Sequence, residues 1–310
     1  MKSISFYLTL LASLSLFSQN ESLLSKMYSN KGIQIIDAGS ISTQMGEYSP
    51  FFDIHHNELY FMRRTPGRLD YTIYKSVLTA NGWTKPVIAS FSGTYRDAAP
   101  YLSPDGNTLF FDSRRPSSKI GTSSIDIWVT KRQNGTWSKP KLVQASINAP
   151  DEPETGVDEY GPAVDEKGVL YFYSFRQPFR GGRHYRSNPP NYQKAKINEE
   201  LPDPSYKTFV SYLYISPNGK FALLEGRGIN NSKTDLYYSC KTSKSDWSKP
   251  IALETINTKY GEGVASMTAD GKFLLFASDR EPNSKNASYA NIYITETDGL
   301  FGKCQKSFSE

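Results

Sequence analysis

Histidine, cysteine and serine motifs offer this chain little chemistry. The three histidines, His55, His56 and His184, form no His-x-His or His-Glu-x-x-His spacing, so a metallohydrolase lacks its ligands. Two cysteines add too few donors for a zinc site. No Gly-x-Ser-x-Gly elbow occurs, which removes the usual serine-hydrolase signature. Carboxylates are richer material. Glu47, Asp97, Glu159 and Glu262, with Val210 as a fifth, each stand six residues before the first residue of a recurring turn. Converging carboxylates suit a hard cation, a basic group or the acid pair of a glycosidase. Repetition in nearly every unit favours a second use, hydrogen bonds that lock one unit to the next.

Arginines recur too, at Arg64, Arg115, Arg176, Arg227 and Arg280. Asp126, Asp235 and Asn291 open the strand beyond the same loop, so an Arg–Asp pair pinning that loop is expected. The third unit lacks the acid. Its loop instead gathers Arg176, Arg180, Arg183 and Arg186, with Gly181-Gly182 and Phe175, Phe179 and Tyr185 between them. Loops that break a repeat are where binding concentrates, which makes this surface a candidate for a ligand or partner.

The elements that position these side chains are one unit written five times. An aromatic–Ser/Thr–Lys–Pro tetrad reads Trp83-Thr84-Lys85-Pro86, Trp137-Ser138-Lys139-Pro140 and Trp247-Ser248-Lys249-Pro250. Worn copies stand at Tyr192-Gln193-Lys194-Ala195 and Phe301-Gly302-Lys303-Cys304, so the aromatic positions are 54, 55, 55 and 54 apart. A hairpin signal precedes each: Ser103-Pro104-Asp105-Gly106, Ser216-Pro217-Asn218-Gly219, Thr268-Ala269-Asp270-Gly271, and degenerate forms from Asp53 and Asp165. An apolar run follows each turn, as in Leu109-Phe110-Phe111, and then a strand opening such as Asp126-Ile127-Trp128. Aromatics make up 14% of the chain, a level that favours strands.

Four short antiparallel strands per unit bury both faces only when repeated radially. An all-β propeller of five four-stranded blades is expected, with six as the alternative. Gly32–Ile36 should close the ring as the outer strand of the fifth blade, beside Ala290–Glu296. The run Ser-Pro-Asp-Gly-x-x-Leu-Phe-Phe followed by Asp-Ile-Tyr-type openings resembles the WD-like propeller repeats of TolB-type periplasmic proteins. With Trp-Ser-Lys-Pro it is similar to exported repeat proteins of Bacteroidetes-type bacteria. That resemblance implies a protein-binding platform, although TolB-type propellers have six shorter blades and an N-terminal α/β domain.

Residues 1–18 read as a signal peptide, with Lys2 before an apolar stretch too short to span a bilayer. Residues 19–31 read as a linker, and 32–310 as one propeller domain. The protein is therefore expected to be exported, periplasmic or secreted, and not membrane-spanning after cleavage. A net charge of +5 is too slight to announce a nucleic-acid or membrane-surface protein. Cys240 and Cys304 stand on different blades, which leaves their pairing open. The expected function is a non-enzymatic binding or scaffolding module for an envelope protein or glycan, without cofactor or metal. The alternative is a polysaccharide hydrolase or lyase using the channel-mouth carboxylates.

Overall fold

The computed structural model describes residues 23–64, 70–117, 124–144, 146–149, 157–176, 182–198, 212–227, 233–243, 246–280 and 289–308. The expected leader, Val210 and Arg180 lie outside them, as does the side chain of Arg227. Five small antiparallel sheets form a five-bladed propeller, as the repeat predicts. The inner strands are Glu47–Asp53, Asp97–Leu102, Glu159–Val164, Leu213–Ile215 and Glu262–Met267. The second strands are Glu58–Arg64, Thr108–Ser113, Leu170–Ser174, Phe221–Arg227 and Phe273–Ser278. The third strands are Tyr71–Thr79, Asp126–Gln133, Arg183–Ser187, Thr234–Cys240 and Asn291–Glu296. Among the described residues, no helix is long and apolar enough to cross a membrane.

The Asp-Gly and Asn-Gly hairpin turns depend on their glycines. Gly106, Gly219 and Gly271 have φ of 70°, 67° and 72°, a region that side chains with a Cβ rarely enter. The inner strands carry a second device. Ser49, Ala99, Gly161 and Val264 have φ near 50° (49°, 49°, 55° and 48°), each at a β-bulge, and the first three precede a proline. A proline has no N–H to give to a ladder, so it fits where the bulge has already interrupted pairing. These bulges turn the inner strands around the neck of the channel. Below it the axis is filled: the Phe51 and Tyr101 rings lie 4.7 Å apart, and the Tyr101 hydroxyl donates to the Ile215 carbonyl at 2.7 Å.

The tetrads differ in one respect from a plain outer strand. In blades one and two the outer strand is split, into Gly82–Trp83 with Val87–Ile88 and Thr136–Trp137 with Lys141–Leu142. The tetrad proline falls in the gap. Its aromatic residue staples blades together: Trp137 Nε1 donates to the Tyr60 hydroxyl of blade one at 2.9 Å. Trp83 Nε1 makes the same bond to Tyr28, which sits at the end of a helical turn over residues 23–28. Leu24 and Tyr28 of that turn join Ile36, Phe61 and Ile294 in one buried cluster.

Ring closure occurs as the spacing predicts. Gln34–Ile35 pairs antiparallel with Asn291–Glu296, Gln34 opposite Ile294, and the Ile36 N–H donates to the Ile292 carbonyl at 2.9 Å. The fifth tetrad is not a strand; Gly302–Phe308 forms a 3-10 helix, and Cys304 is disulfide-bonded to Cys240 of blade four, with Cα atoms 5.7 Å apart. Two separate ties therefore hold the ends. Deleting residues 32–38 removes the outer strand of blade five and the fully buried Ile36, which is worth about 1.5–3 kcal/mol alone. The truncated protein should melt at least several degrees lower or aggregate. An unchanged melting curve would contradict this account of closure.

Candidate functional site

The four inner-strand carboxylates and the recurring arginines belong to one device. Arg115 Nη2 meets Asp97 at 2.7 Å, Arg176 meets Glu159 at 3.1 Å, and Arg280 meets Glu262 at 3.3 Å. In each of these blades the arginine Nε donates at 3.0 Å to a serine two residues earlier (Ser113, Ser174, Ser278), whose hydroxyl donates to the same carboxylate. The guanidinium also reaches the carbonyl of the loop that enters the blade, as in Arg280 to Ile256 at 2.7 Å. Blade one builds the clamp from the serine position itself. Arg63 Nε bonds Glu47 at 2.8 Å, and its Nη2 bonds the Ser40 and Ile41 carbonyls.

All four carboxylates are fully buried. Burial pushes the Glu47 carboxyl up, against hydrogen bonds from Thr43 and the Arg63 charge that lower it. This geometry is that of blade packing. The expected pairing with Asp126, Asp235 and Asn291 is corrected: Arg115 and Arg280 turn inward to the carboxylate eighteen positions upstream. Arg64 lies outside the clamp, with its guanidinium 5.7 Å from the Tyr289 ring.

Among the described residues, the arginines of the blade-three loop do not converge. Arg176 is taken by the clamp and lies 4.6 Å from the Tyr185 ring. Arg183 is exposed, and Arg183 and Arg186, three positions apart on one strand, point to opposite faces. Removing one clamp partner leaves a buried charge uncompensated, so Arg280→Met should cost about 3–5 kcal/mol in denaturant unfolding. A loss below about 1 kcal/mol would mean that the clamp contributes little.

Two other carboxylates stand where the repeat is broken. Asp112 and Glu225 each lie nine residues past the start of their hairpin turn, where blades one and five carry Met62 and Ala277 and blade three carries Tyr173 in matching register. Each crosses to the inner strand of the following blade and accepts its bulge N–H: Gly161 to Asp112 Oδ2 at 3.2 Å, Val264 to Glu225 Oε2 at 2.9 Å. The bulges at Ser49 and Ala99 form without such a partner from Met62 or Ala277, so a bulge does not by itself require an acid at this position.

Their surroundings differ. Asp112 is fully buried, and its Oδ1 takes Arg96 Nη1 at 2.6 Å. The Arg96 guanidinium lies between the rings of Tyr71 and Tyr160, 5.8 and 6.0 Å from their centroids. Glu225 is half-buried, and among the described residues its carboxylate makes no ion pair; burial pushes its carboxyl up to about 7, against the Val264 N–H, which lowers it. Tyr212 feels Asp112, Arg96 and Glu225 together, and burial followed by the Asp112 charge holds its phenol well above the usual range. Tyr212 also lines a cavity of about 30 Å³ at the channel neck, beside Ser49, Ala99 and Gly161. Asp112 and Glu225 thus both stand at the mouth end of their second strands, and the charge of each reaches the Tyr212 phenol.

Sequence reasoning missed this pair. The signal was present: overlaying the second strands sets Asp112 and Glu225 against Met62, Tyr173 and Ala277. Among the described residues no cluster of metal-ligating side chains occurs.

No family model matches the chain, and no curated protein does. Solved structures do. The catalytic domain of a family-62 α-L-arabinofuranosidase from Coprinopsis cinerea matches with a TM-score of 0.51 and 12% identity, over 86% of this chain and 98% of that one. An α-L-arabinanase from Cellvibrio cellulosa, complexed with arabinohexaose, matches with a TM-score of 0.51 and 17% identity, over 82% and 92%. TolB from Acinetobacter baumannii matches with a TM-score of 0.48 and 16% identity, over 83% of this chain and 53% of its own. The likeness is one of fold. The chain spans about half the length of that TolB chain.

The expectation of a non-enzymatic binding platform is overturned here. It rested on a missing catalytic constellation and on the TolB resemblance. The structural matches include glycoside hydrolases that this fold covers almost end to end, and two carboxylates at the mouth end of second strands depart from the repeat.

The raised Glu225 carboxyl has a consequence for stability. The folded state holds its proton more tightly than the unfolded chain does, so stability is lost as pH rises from about 4.5 through about 7. Glu225→Gln removes that loss. The variant should exceed the parent by on the order of 1–3 kcal/mol above neutrality and show no gain near pH 4. Equal stabilities across the range would contradict the burial of this group.

Proposed function

We propose that the chain is an exported polysaccharide hydrolase that works in the mouth of the channel, with Glu225 as proton donor and Asp112 as its anionic partner. The observation that carries this reading is the pair itself: two carboxylates at one repeat position where the other blades carry none, placed in different environments. Two acids set apart by their surroundings are what acid-assisted glycoside cleavage needs. Glu225, whose carboxyl is pushed up to about 7, gives its proton to the glycosidic oxygen as the bond from that oxygen to the anomeric carbon breaks. The buried Asp112, which Arg96 and the Gly161 N–H hold in place, acts on the positive charge that develops on the sugar through its field and not by contact. Water then adds to the anomeric carbon, and its proton returns to Glu225.

Tyr71, Tyr160 and Tyr212 supply flat apolar faces suited to sugar rings. Arabinose-containing polysaccharides are the first substrates to test, because the arabinofuranosidase and arabinanase share this ring. Export is consistent with the leader-like first 18 residues and with the Cys240–Cys304 bond, since disulfides persist in oxidising compartments.

The test is release of reducing sugar from a panel of plant and bacterial polysaccharides by the mature protein. Glu225→Gln should lower kcat by about 10²–10⁴-fold while leaving the protein folded. Asp112→Asn should also lower kcat, with folding checked separately because it leaves Arg96 without its ion-pair partner. Wild-type protein inert on every polysaccharide, or a Glu225→Gln variant with undiminished kcat, would overturn the reading.

A further inference from the structure

The tetrad that marks each blade contains one residue that packing does not explain. Its aromatic residue staples blades, as Trp137 does to Tyr60. Its Ser or Thr segment is locked to the third strand: Ser76 donates to the Thr84 carbonyl, Thr130 to Ser138, Ser187 to Lys194 and Ser239 to Ser248. The lysine side chain does neither. Lys85, Lys139, Lys194, Lys249 and Lys303 are all exposed, and among the described residues none makes an ion pair or a side-chain hydrogen bond.

Yet lysine is the one residue identical in all five copies. In the worn copies Trp has become Tyr or Phe, Ser has become Gln or Gly, and Pro has become Ala or Cys, while Lys194 and Lys303 remain. Protecting sheet edges from pairing would be the ordinary use of such lysines. That use does not fit here. Lys303 lies on the 3-10 helix Gly302–Phe308 rather than on an edge strand, and the outer strand of blade one leaves Val87 and Ile88 exposed.

Placement gives the alternative. The tetrads follow the hairpins at the end of the third strands, and that end lies beside the Asp-Gly turns: the Arg132 N–H donates to the Asn107 carbonyl at 2.8 Å. This is the end of the ring away from the mouth. One repeat position recurs on one circle around the channel axis, so the first four lysines share a rim. Lys303 joins them at the same end through the Cys304–Cys240 bond to the end of a third strand. Exposed Asp105, Glu166, Asp246 and Asp298 lie on turns of that face and lower its net charge.

We propose that this basal rim docks on a plane of anionic lipid headgroups. A linear polyanion crosses a circle at two places, whereas a flat sheet of phosphates meets every lysine of the rim together. Long lysine stems reach such a plane with their charges still hydrated. Docked this way, the mouth with Asp112 and Glu225 faces away from the membrane. The inference stands independently of the reaction assigned to that mouth.

Co-sedimentation tests it with the mature protein and vesicles of phosphatidylcholine, with or without phosphatidylglycerol. The protein should bind only the anionic vesicles and release at high salt. Lys85→Gln, Lys139→Gln, Lys194→Gln and Lys249→Gln combined should weaken binding several hundredfold, at roughly fivefold per lysine. A control variant removes equal charge elsewhere, through Arg114→Gln, Arg183→Gln, Lys233→Gln and Lys259→Gln, and should retain most of the binding. No binding of the wild type to anionic vesicles overturns the proposal. So does an equal loss in both variants, and so does rim-dependent capture of a soluble sulfated polysaccharide in place of vesicles.

Discussion

The clamp between an inner-strand carboxylate and an arginine from the second strand is the interaction on which this ring depends. A short inner strand has only a few ladder hydrogen bonds, and its bulge removes some of them. The clamp compensates by tying three chain segments at one point: the inner strand through the carboxylate, the second strand through serine and arginine, and the incoming loop through its carbonyls. A buried ion pair recovers its desolvation cost only when its remaining donors and acceptors are satisfied. Here Glu262 accepts from Thr258, Ser278 and Arg280 together, which meets that condition. Arg63 shows that geometry matters more than position, since it enters from the serine site and still reaches both carboxylate and loop.

Repetition made the fold legible in the sequence. Turn, apolar run and tetrad recur at a nearly constant spacing, and each has a local physical cause, so the number of blades and the closing strand could be read directly. Side-chain partners were less legible. Arg115 and Asp126 are close along the chain across one loop, but the bent β-hairpin carries Arg115 back over Asp97, and only strand register reveals that. Whether Cys240 and Cys304 meet depended on a final helix that breaks the strand pattern, a feature with no counterpart in earlier units.

The candidate site was hidden for a related reason. Counting from the turns to the strand openings selects positions that repeat, and positions that repeat serve the ring. Asp112 and Glu225 appear only when the second strands are overlaid and the odd residues are examined. Their environments then separate them. Arg96 supplies Asp112 with a counter-charge at 2.6 Å, while Glu225 is given burial and one backbone N–H. The same bulge that bends the inner strand presents the N–H that orients each acid, so backbone distortion at the neck is also what aims the chemistry.

Departure and constancy therefore carry different information in one molecule. At the mouth, a residue that departs from its counterparts marks a local task. At the opposite rim, a residue that stays constant while its structural neighbours decay marks a task shared by all blades. Packing constraints explain the tetrad's aromatic and hydroxyl groups, because changing them alters bonds that can be named. They do not reach a solvent-facing ammonium, whose loss would break nothing among the described contacts. A ring symmetric in its charges at one end and asymmetric at the other is suited to meeting an extended surface with the first and a single small reacting group with the second.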